Sequence, residues 1–181
     1  MKKESKEVVG LFLRYIFLVL IVLPGLDIFY AIFLPLTKYP AFYFLQLFFS
    51  SNMVGNSIFI GSKVISIIDA CVAGSAYYFL LILNLATPKI KALKRVKMIL
   101  FAFISFLIVN IIRIVFLSFI YINNSPSFEV LHKTFWYLGG TLLVVFIWFL
   151  EVKIFRIEGI PFYSDLKKLY RSSRPKKNSK R

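Results

Sequence analysis

The class of fold is decided by the run Ile104-Ser-Phe-Leu-Ile-Val-Asn-Ile-Ile-Arg-Ile-Val-Phe-Leu117, which is apolar except for a few residues. It lies within a longer apolar segment, Met98 to Tyr121, which as a helix is long enough to cross about 30 Å of hydrocarbon. Of the 181 residues in the chain, 59% are hydrophobic. A soluble domain of this size cannot bury so much apolar surface. The composition therefore predicts an all-α integral membrane protein.

Further apolar segments bring the prediction to about four transmembrane helices. The first runs from Val8 to about Leu34, the second from Asp69 to about Ala86, and the fourth from His132 to about Phe155. Residues 1–160 are expected to form a single membrane-embedded domain. Residues 161–181 are rich in Lys and Arg and are expected to form a basic cytoplasmic tail.

The segment between the first two predicted spans has a different pattern. Residues 36–40 are typical of a loop, and residues 41–49 are apolar but far fewer than the roughly 20 that a span needs. The apolar part predicts an interfacial or re-entrant helix. Residues 57–60 and 63–68, separated by a Gly-Ser pair, predict a short external β-hairpin before the second span. The alternative is that residues 41–60 form one further span.

The basic residues predict the orientation in the membrane. The chain has 23 Lys and Arg residues, and most fall in three blocks: the N-terminal head up to Arg14, the segment 88–97, and the stretch from Lys153 to the C-terminus. The exceptions are Lys38, Lys63, Arg113 and Lys133. The positive-inside rule places the three blocks, and hence both termini, in the cytoplasm. The net charge of +15 is thereby explained without a nucleic acid partner.

In this arrangement three chemically unusual residues fall near the external surface of the cell membrane. Cys71, the only cysteine, starts the second span, and His132, the only histidine, starts the fourth. Arg113 is 16 residues past Lys97 and therefore lies about 24 Å into a core of about 30 Å. A cysteine can act as nucleophile, a histidine as its acid and base, and an arginine as oxyanion stabiliser. Asn110 shares a helix face with Arg113 and can orient it or donate another hydrogen bond.

Other interpretations of these residues are open. A lone membrane cysteine is often an inert packing group. An arginine inside a membrane is costly, so Arg113 is expected either to have a function or to pair with Asp27 or Asp69. The alternative functions are a non-enzymatic multi-pass scaffold and a small transporter in which Arg113 binds an anion. One histidine and one cysteine do not make a catalytic site with three metal ligands, so no metal or other cofactor is expected.

At these residues the sequence resembles the exosortase/archaeosortase family of membrane cysteine transpeptidases. The family pattern is Ala-Cys-(Ser/Thr)-Gly, then Asn-x-x-Arg in a later span, then a His at the start of another. Here the pattern is found as Ala70-Cys71, Asn110-Ile-Ile-Arg113 and His132, in that order. The segment Gly55–Gly61 also resembles the family's sequence ahead of its cysteine. Cys71-Val-Ala-Gly74 has one residue more before its glycine, and in this it resembles the compact archaeal members called pacearchaeosortases.

The resemblance covers residues 40–150 and implies a function. Cys71 would be the nucleophile, His132 the acid and base, and Arg113 the stabiliser of the oxyanion or of the substrate, with Asn110 in support. The substrate would be a secreted protein with a C-terminal tail made of a short motif, a transmembrane helix and a basic cluster. The enzyme would cleave near the motif at the external face, form a thioester acyl-enzyme and transfer the acyl group to a lipid or amine acceptor.

Overall fold

A computed structural model describes residues 13, 16, 19, 20, 26–87 and 90–157. Over these residues the chain is mostly helical with a small sheet. The elements are α1 (Asp27–Gln46), β1 (Ser51–Val54), β2 (Ser57–Ile60), β3 (Lys63–Ser66), α2 (Asp69–Val72), α3 (Gly74–Ala86), α4 (Ala92–Ile122), α5 (Phe128–Thr134), a π-helical turn (Phe135–Gly139) and α6 (Gly140–Ile154). The predicted tail lies outside the described residues. So does most of the part of the first predicted span that precedes residue 26.

Three of the described helical segments are long and apolar enough to cross a membrane: α1, α2 together with α3, and α4. A fourth candidate is formed by α5 and α6, which are bent by 53° relative to each other. The second and third predicted spans are thus found as helices of suitable length and composition, and the predicted fourth span is found bent. These helices fit the predicted class of multi-helix membrane protein.

Helix α4 has two faces of different character. Every fourth residue on one face is an exposed apolar side chain, with between 46% and 60% of its surface accessible. These residues are Leu100, Ile104, Ile108, Ile112 and Phe116. The opposite face is buried and carries the polar residues Asn110 and Ser118. A helix on the surface of a soluble protein has the reverse arrangement, so the apolar outer face of α4 is the one expected to contact lipid.

Helix α1 corrects the prediction of a loop at residues 36–40 and an interfacial or re-entrant helix at residues 41–49. It is continuous through Pro35 and Pro40 and ends at Gln46. Its buried side chains recur at every fourth position: Phe29, Phe33, Thr37, Ala41 and Leu45. One face therefore packs on the protein along the whole helix. This packing outweighs the two missing N–H groups, which membrane helices tolerate when neighbours cover them.

The segment before Cys71 forms a three-stranded antiparallel sheet within the described part of the chain, in the order β1-β2-β3. The predicted hairpin is present as β2 and β3, with Ser57 opposite Ser66. The sequence prediction missed β1, which pairs with the other side of β2. The alternative of a span over residues 41–60 is wrong, because β1 and β2 occupy its second half.

Lys38 and Lys63 attach this sheet to the helices. The Lys38 ammonium, on α1, donates a hydrogen bond to Asn56 Oδ1 (2.9 Å) in the turn between β1 and β2. The Lys63 ammonium, on β3, donates to the backbone oxygens of Tyr121 (2.6 Å) and Ile122 (2.8 Å). The last carbonyl groups of a helix lack partners within the helix, so Lys63 caps α4. Both of these basic residues outside the three blocks therefore have a structural partner.

The basic segment 88–97 is only partly the loop that the sequence predicted, because α4 begins at Ala92. Arg95, in the first turn of α4, reaches back to the end of α3. Its guanidinium donates hydrogen bonds to the backbone oxygens of Leu85 (2.6 Å) and Thr87 (3.0 Å). The last carbonyl groups of α3 are thus satisfied by a cation, which also complements the helix dipole.

The core near Cys71 consists of two neighbouring clusters. In one, which joins α1, α3, α4 and α6, the Tyr77 ring stacks on Phe33 with ring centroids 3.6 Å apart. In the other, buried isoleucines of the sheet, such as Ile58, pack against α1 and against Val115 of α4. Cys71 is half-buried and packs against this second cluster. The sheet and the helices together therefore position the cysteine.

A buried polar pair joins α3 to α6 at the end away from Cys71. The amide of Asn84 donates hydrogen bonds to Leu80 O (3.0 Å) and to Glu151 Oε2 (2.9 Å). Both Asn84 and Glu151 are fully buried. Glu151 Oε1 and Asn84 Oδ1 have no hydrogen-bond partner within the described part of the chain.

We expect Glu151→Gln and Glu151→Ala to differ sharply in stability. Glutamine keeps the acceptor for the Asn84 amide, replaces the unpaired Oε1 of Glu151 by an N–H donor, and removes the desolvation cost of a buried carboxylate. Alanine leaves the Asn84 amide without its partner and opens a cavity, at a cost of about 2–4 kcal/mol. Thermal unfolding in detergent should show a lower midpoint for Glu151→Ala and an unchanged or higher one for Glu151→Gln. Equal midpoints for the two variants would show that the pair does not stabilise the α3–α6 contact.

Candidate active site

Cys71 lies in a single helical turn directly before a break in the second candidate span. The turn, α2, ends at Val72. Ala73 follows it with a φ of 57° and a ψ of 50°, which are in the left-handed region, and α3 begins at Gly74. This conformation costs a residue other than glycine about 1–2 kcal/mol, so the surrounding contacts must hold it. The break gives Cys71 a position that a continuous helix from Asp69 to Ala86 would not give it.

Gly74 allows α1 to pack closely against this break. A Cβ atom at Gly74 would lie 2.7 Å from Cε1 of Tyr30, closer than real Cβ contacts come. Any larger residue would therefore push the Tyr30 ring away. The glycine of the Cys-Val-Ala-Gly sequence thus has a local role, which is to admit the aromatic ring.

Two side chains of α4 donate hydrogen bonds to the backbone oxygen of Cys71. Asn110 Nδ2 lies 2.9 Å from this oxygen, and Arg113 Nη2 lies 3.4 Å from it. The prediction that Asn110 and Arg113 share a helix face is confirmed. Asn110 binds the cysteine backbone rather than orienting Arg113. Because α2 ends immediately after Cys71, these donors supply partners that a helix would otherwise have supplied.

Arg113 has no salt bridge to any of the described residues. Among the described residues, Arg113 forms one hydrogen bond, the weak one to Cys71 O. Its buried Nε atom has no partner among them. The predicted alternative, a structural ion pair with Asp27 or Asp69, is not found. A guanidinium that is half-buried among apolar helices and lacks a carboxylate partner is available to an anion or to a developing oxyanion.

A cavity of about 200 Å³ brings the predicted residues together, and it is called the thiol cavity below. Cys71 from α2, Arg113 from α4 and His132 from α5 all line it. Residues 64–66 of β3 form another part of its wall, and Trp136 contributes from the π-helical turn. Three elements that are distant in sequence therefore place a thiol, an imidazole and a guanidinium around one space. Asn110 lies outside the lining and acts on it through the Cys71 backbone.

Aromatic contacts hold His132 in place. Its ring stacks on Phe128, with centroids 5.4 Å apart and an interplanar angle of 5°, and meets Trp136 edge-on at 6.0 Å. The imidazole nitrogens form no hydrogen bond with the described residues, so they are available to a substrate. Phe128, His132 and Trp136 are four residues apart, the spacing that puts side chains on one helix face.

Trp136 also lines the thiol cavity, although the sequence analysis did not single it out. Besides the thiol cavity, Trp136 and Arg113 also line a second cavity of about 500 Å³ between α3 and α6. Ser75 and Thr141 are among the residues that line this second cavity. The four-residue spacing from His132 to Trp136 was the sequence signal that could have identified it.

This arrangement is chemically suited to covalent catalysis by a thiol. A thiol and an imidazole line the same cavity, and a guanidinium adjoins the cysteine backbone. No family model matches the chain, and no curated protein or solved structure matches it either.

Proposed function

We propose that the protein is a membrane-embedded cysteine transpeptidase of the exosortase/archaeosortase type, which removes C-terminal sorting tails from secreted proteins. The observation that carries this proposal is the meeting of Cys71, Arg113 and His132 at one cavity. If the cysteine were inert and the arginine structural, nothing would predict that both line one cavity with the only histidine of the chain. The sequence patterns that motivate the resemblance supply the same three residues in the same order.

The first half of the reaction forms a thioester. Cys71 gives its proton to His132, and the sulfur attacks the carbonyl carbon of the scissile peptide bond. The oxyanion of the tetrahedral intermediate is stabilised by the Arg113 guanidinium. When the C–N bond breaks, His132 returns the proton to the departing amine, and the tail leaves with a free amino terminus. The remaining protein is attached to Cys71 through a C–S bond.

The second half transfers the acyl group to an acceptor. An amine or hydroxyl group of the acceptor attacks the thioester carbonyl, a C–N or C–O bond replaces the C–S bond, and the proton returns to the sulfur through His132. Arg113 and Trp136 line both the second cavity and the thiol cavity. We assign the second cavity to the acceptor, since it gives a lipid or an amine a separate route to the reacting carbonyl.

The membrane setting suits this substrate. A tail with its own transmembrane helix is confined to the same two-dimensional layer as the enzyme, which raises its effective concentration. The positive-inside distribution of Lys and Arg supports cytoplasmic termini and a thiol cavity at the external face. The basic cluster of the tail would then lie at the cytoplasmic side, together with the basic blocks of the enzyme.

Direct detection of the thioester tests the proposal. The purified protein in lipid nanodiscs is mixed with a tailed secreted protein from the same cells, quenched in acid and measured by intact mass. We expect an adduct on Cys71 with the mass of the truncated substrate, and its release by hydroxylamine. The scaffold and transporter alternatives predict that Cys71 stays unmodified with every tailed protein tested.

A further inference from the structure

The sheet presents one strand with a free edge to the thiol cavity. In the order β1-β2-β3, the strand β3 has a neighbour on one side only among the described residues. Val64, Ile65 and Ser66 of this strand line the thiol cavity together with Cys71. Natural proteins usually cover or blunt an exposed strand edge, because its unpaired backbone groups readily bind another strand.

The register shows which backbone groups point to the free edge. Ile60 and Lys63 are partners across a two-residue turn, so they form the hydrogen-bonded pair that closes the hairpin. Alternation then directs the N–H and C=O groups of Ile65 toward β2 and those of Val64 and Ser66 away from it. The hydrogen bond from Ile67 N to Asn56 O (2.8 Å) continues the same alternation.

The backbone groups of Val64 and Ser66 have no hydrogen-bond partner among the described residues. Val64 is 44% exposed, so solvent or a ligand can reach the strand. On the other face of the sheet, Ile58 and Ile60 of the neighbouring strand β2 are buried against the helices, which anchors the sheet to them. The free edge of β3 therefore offers two N–H donors and two C=O acceptors.

We propose that the β3 edge is the docking site for the substrate's cleavage motif, which binds in extended conformation as a fourth strand. This inference rests on the proposed function, because it needs a polypeptide substrate at Cys71. An added strand pairs through its main chain and presents every second side chain to the same side. The motif would accordingly be recognised mainly at alternate positions, where side chains face the thiol cavity.

Backbone-modified peptides test this without altering the protein. The probes are synthetic peptides that cover the cleaved motif of the tail that acylates Cys71, each with one N-methylated residue. We expect kcat/KM for acylation to fall about three- to tenfold at every second position, where N-methylation removes a hydrogen bond to β3. Positions between these should be unaffected. Equal effects at all positions, or none at any, would overturn the docking site.

A variant pair tests the same inference from the side of the enzyme. Val64→Pro removes an N–H from the free edge, where proline is tolerated because no ladder bond is lost. Val64→Ala is the matched control that keeps the N–H and loses the side chain. We expect a three- to tenfold lower kcat/KM for Val64→Pro and a smaller change for Val64→Ala. Equal kcat/KM values for the two variants would contradict the inference.

Failure of the docking inference can be distinguished from failure of the proposed function. Alkylation of Cys71 by iodoacetamide needs no substrate docking, so equal alkylation rates in wild type and Val64→Pro show that the site is intact. If peptides acylate Cys71 without a two-residue period, the edge strand is not the docking site and the transpeptidase proposal stands. If no tailed protein or peptide acylates Cys71, the proposed function itself fails, and the docking inference fails with it.

Discussion

Cys71→Ala is expected to abolish removal of the substrate tail, with a loss on the order of 10⁶-fold in rate, the scale measured when a catalytic nucleophile is removed elsewhere. Alanine cannot form the thioester, and the chain has no second cysteine that could take its place. The measurement is co-expression with a tailed substrate, followed by the mass of the substrate's C-terminus. The wild type should yield the truncated product, and Cys71→Ala should leave the tail intact.

Ser50→Ala supplies a control for this experiment. Ser50 lies between α1 and β1, is exposed, and lines neither the thiol cavity nor the second cavity. Its loss should leave tail removal near the wild-type rate. If Cys71→Ala removes the tail as well as wild type does, the transpeptidase proposal is wrong and the scaffold alternative takes precedence. Folding of the variant is checked independently by its unfolding midpoint in detergent.

The meeting of the three polar residues at one cavity agrees with a prediction that depends only on counting residues. A helix rises by a fixed length per residue, and the basic blocks define where the count starts. The sequence therefore placed Cys71, Arg113 and His132 at a similar depth, and the structure brings them to one cavity. Depth alone does not determine which helix faces turn toward each other. The contact between Asn110 and the Cys71 backbone could not be deduced, because it depends on the break at Ala73.

The errors in the fold have a common physical cause, which is tertiary packing that outweighs local signals. Pro35 and Pro40 normally mark the end of a helix, but α1 continues through them because one face stays buried along its length. The strand β1 has a weak apolar pattern, yet it pairs with β2 because the turn at Gly55, with a φ of 63°, directs the chain back. Neither outcome is visible in a short window of sequence.

The bend between α5 and α6 was also beyond the sequence pattern. The predicted fourth span is apolar almost throughout, and a hydrophobic pattern does not distinguish a straight helix from one with a π-helical turn. Such turns are frequent at functional sites, because they redirect side chains on either side. Here the turn lies between His132 and Thr141, residues that line different cavities, and it carries Trp136, which lines both.

Arg113→Met is expected to slow thioester formation by about 10²–10³-fold, the usual effect of removing a donor that stabilises an oxyanion. Methionine keeps much of the apolar stem and removes a charge that has no carboxylate partner among the described residues, so stability should change little. Arg113→Lys keeps a charge but loses the planar fork of donors, and an intermediate rate is expected. Single-turnover formation of the thioester on Cys71, followed by mass, gives these rates directly.

Two comparisons separate this catalytic role from a structural one. Alkylation of Cys71 by the small neutral reagent iodoacetamide is compared at high pH, where the thiol is fully ionised in both proteins. The rates in wild type and Arg113→Met should then be similar, because alkylation forms no oxyanion. Asn110→Ala, which removes the stronger hydrogen bond to Cys71 O, acts on the position of the cysteine and should change alkylation and thioester formation together. A fall in both rates for Arg113→Met would reassign Arg113 to positioning. An unchanged rate of thioester formation would leave the unpaired charge to anion binding, as the transporter alternative requires.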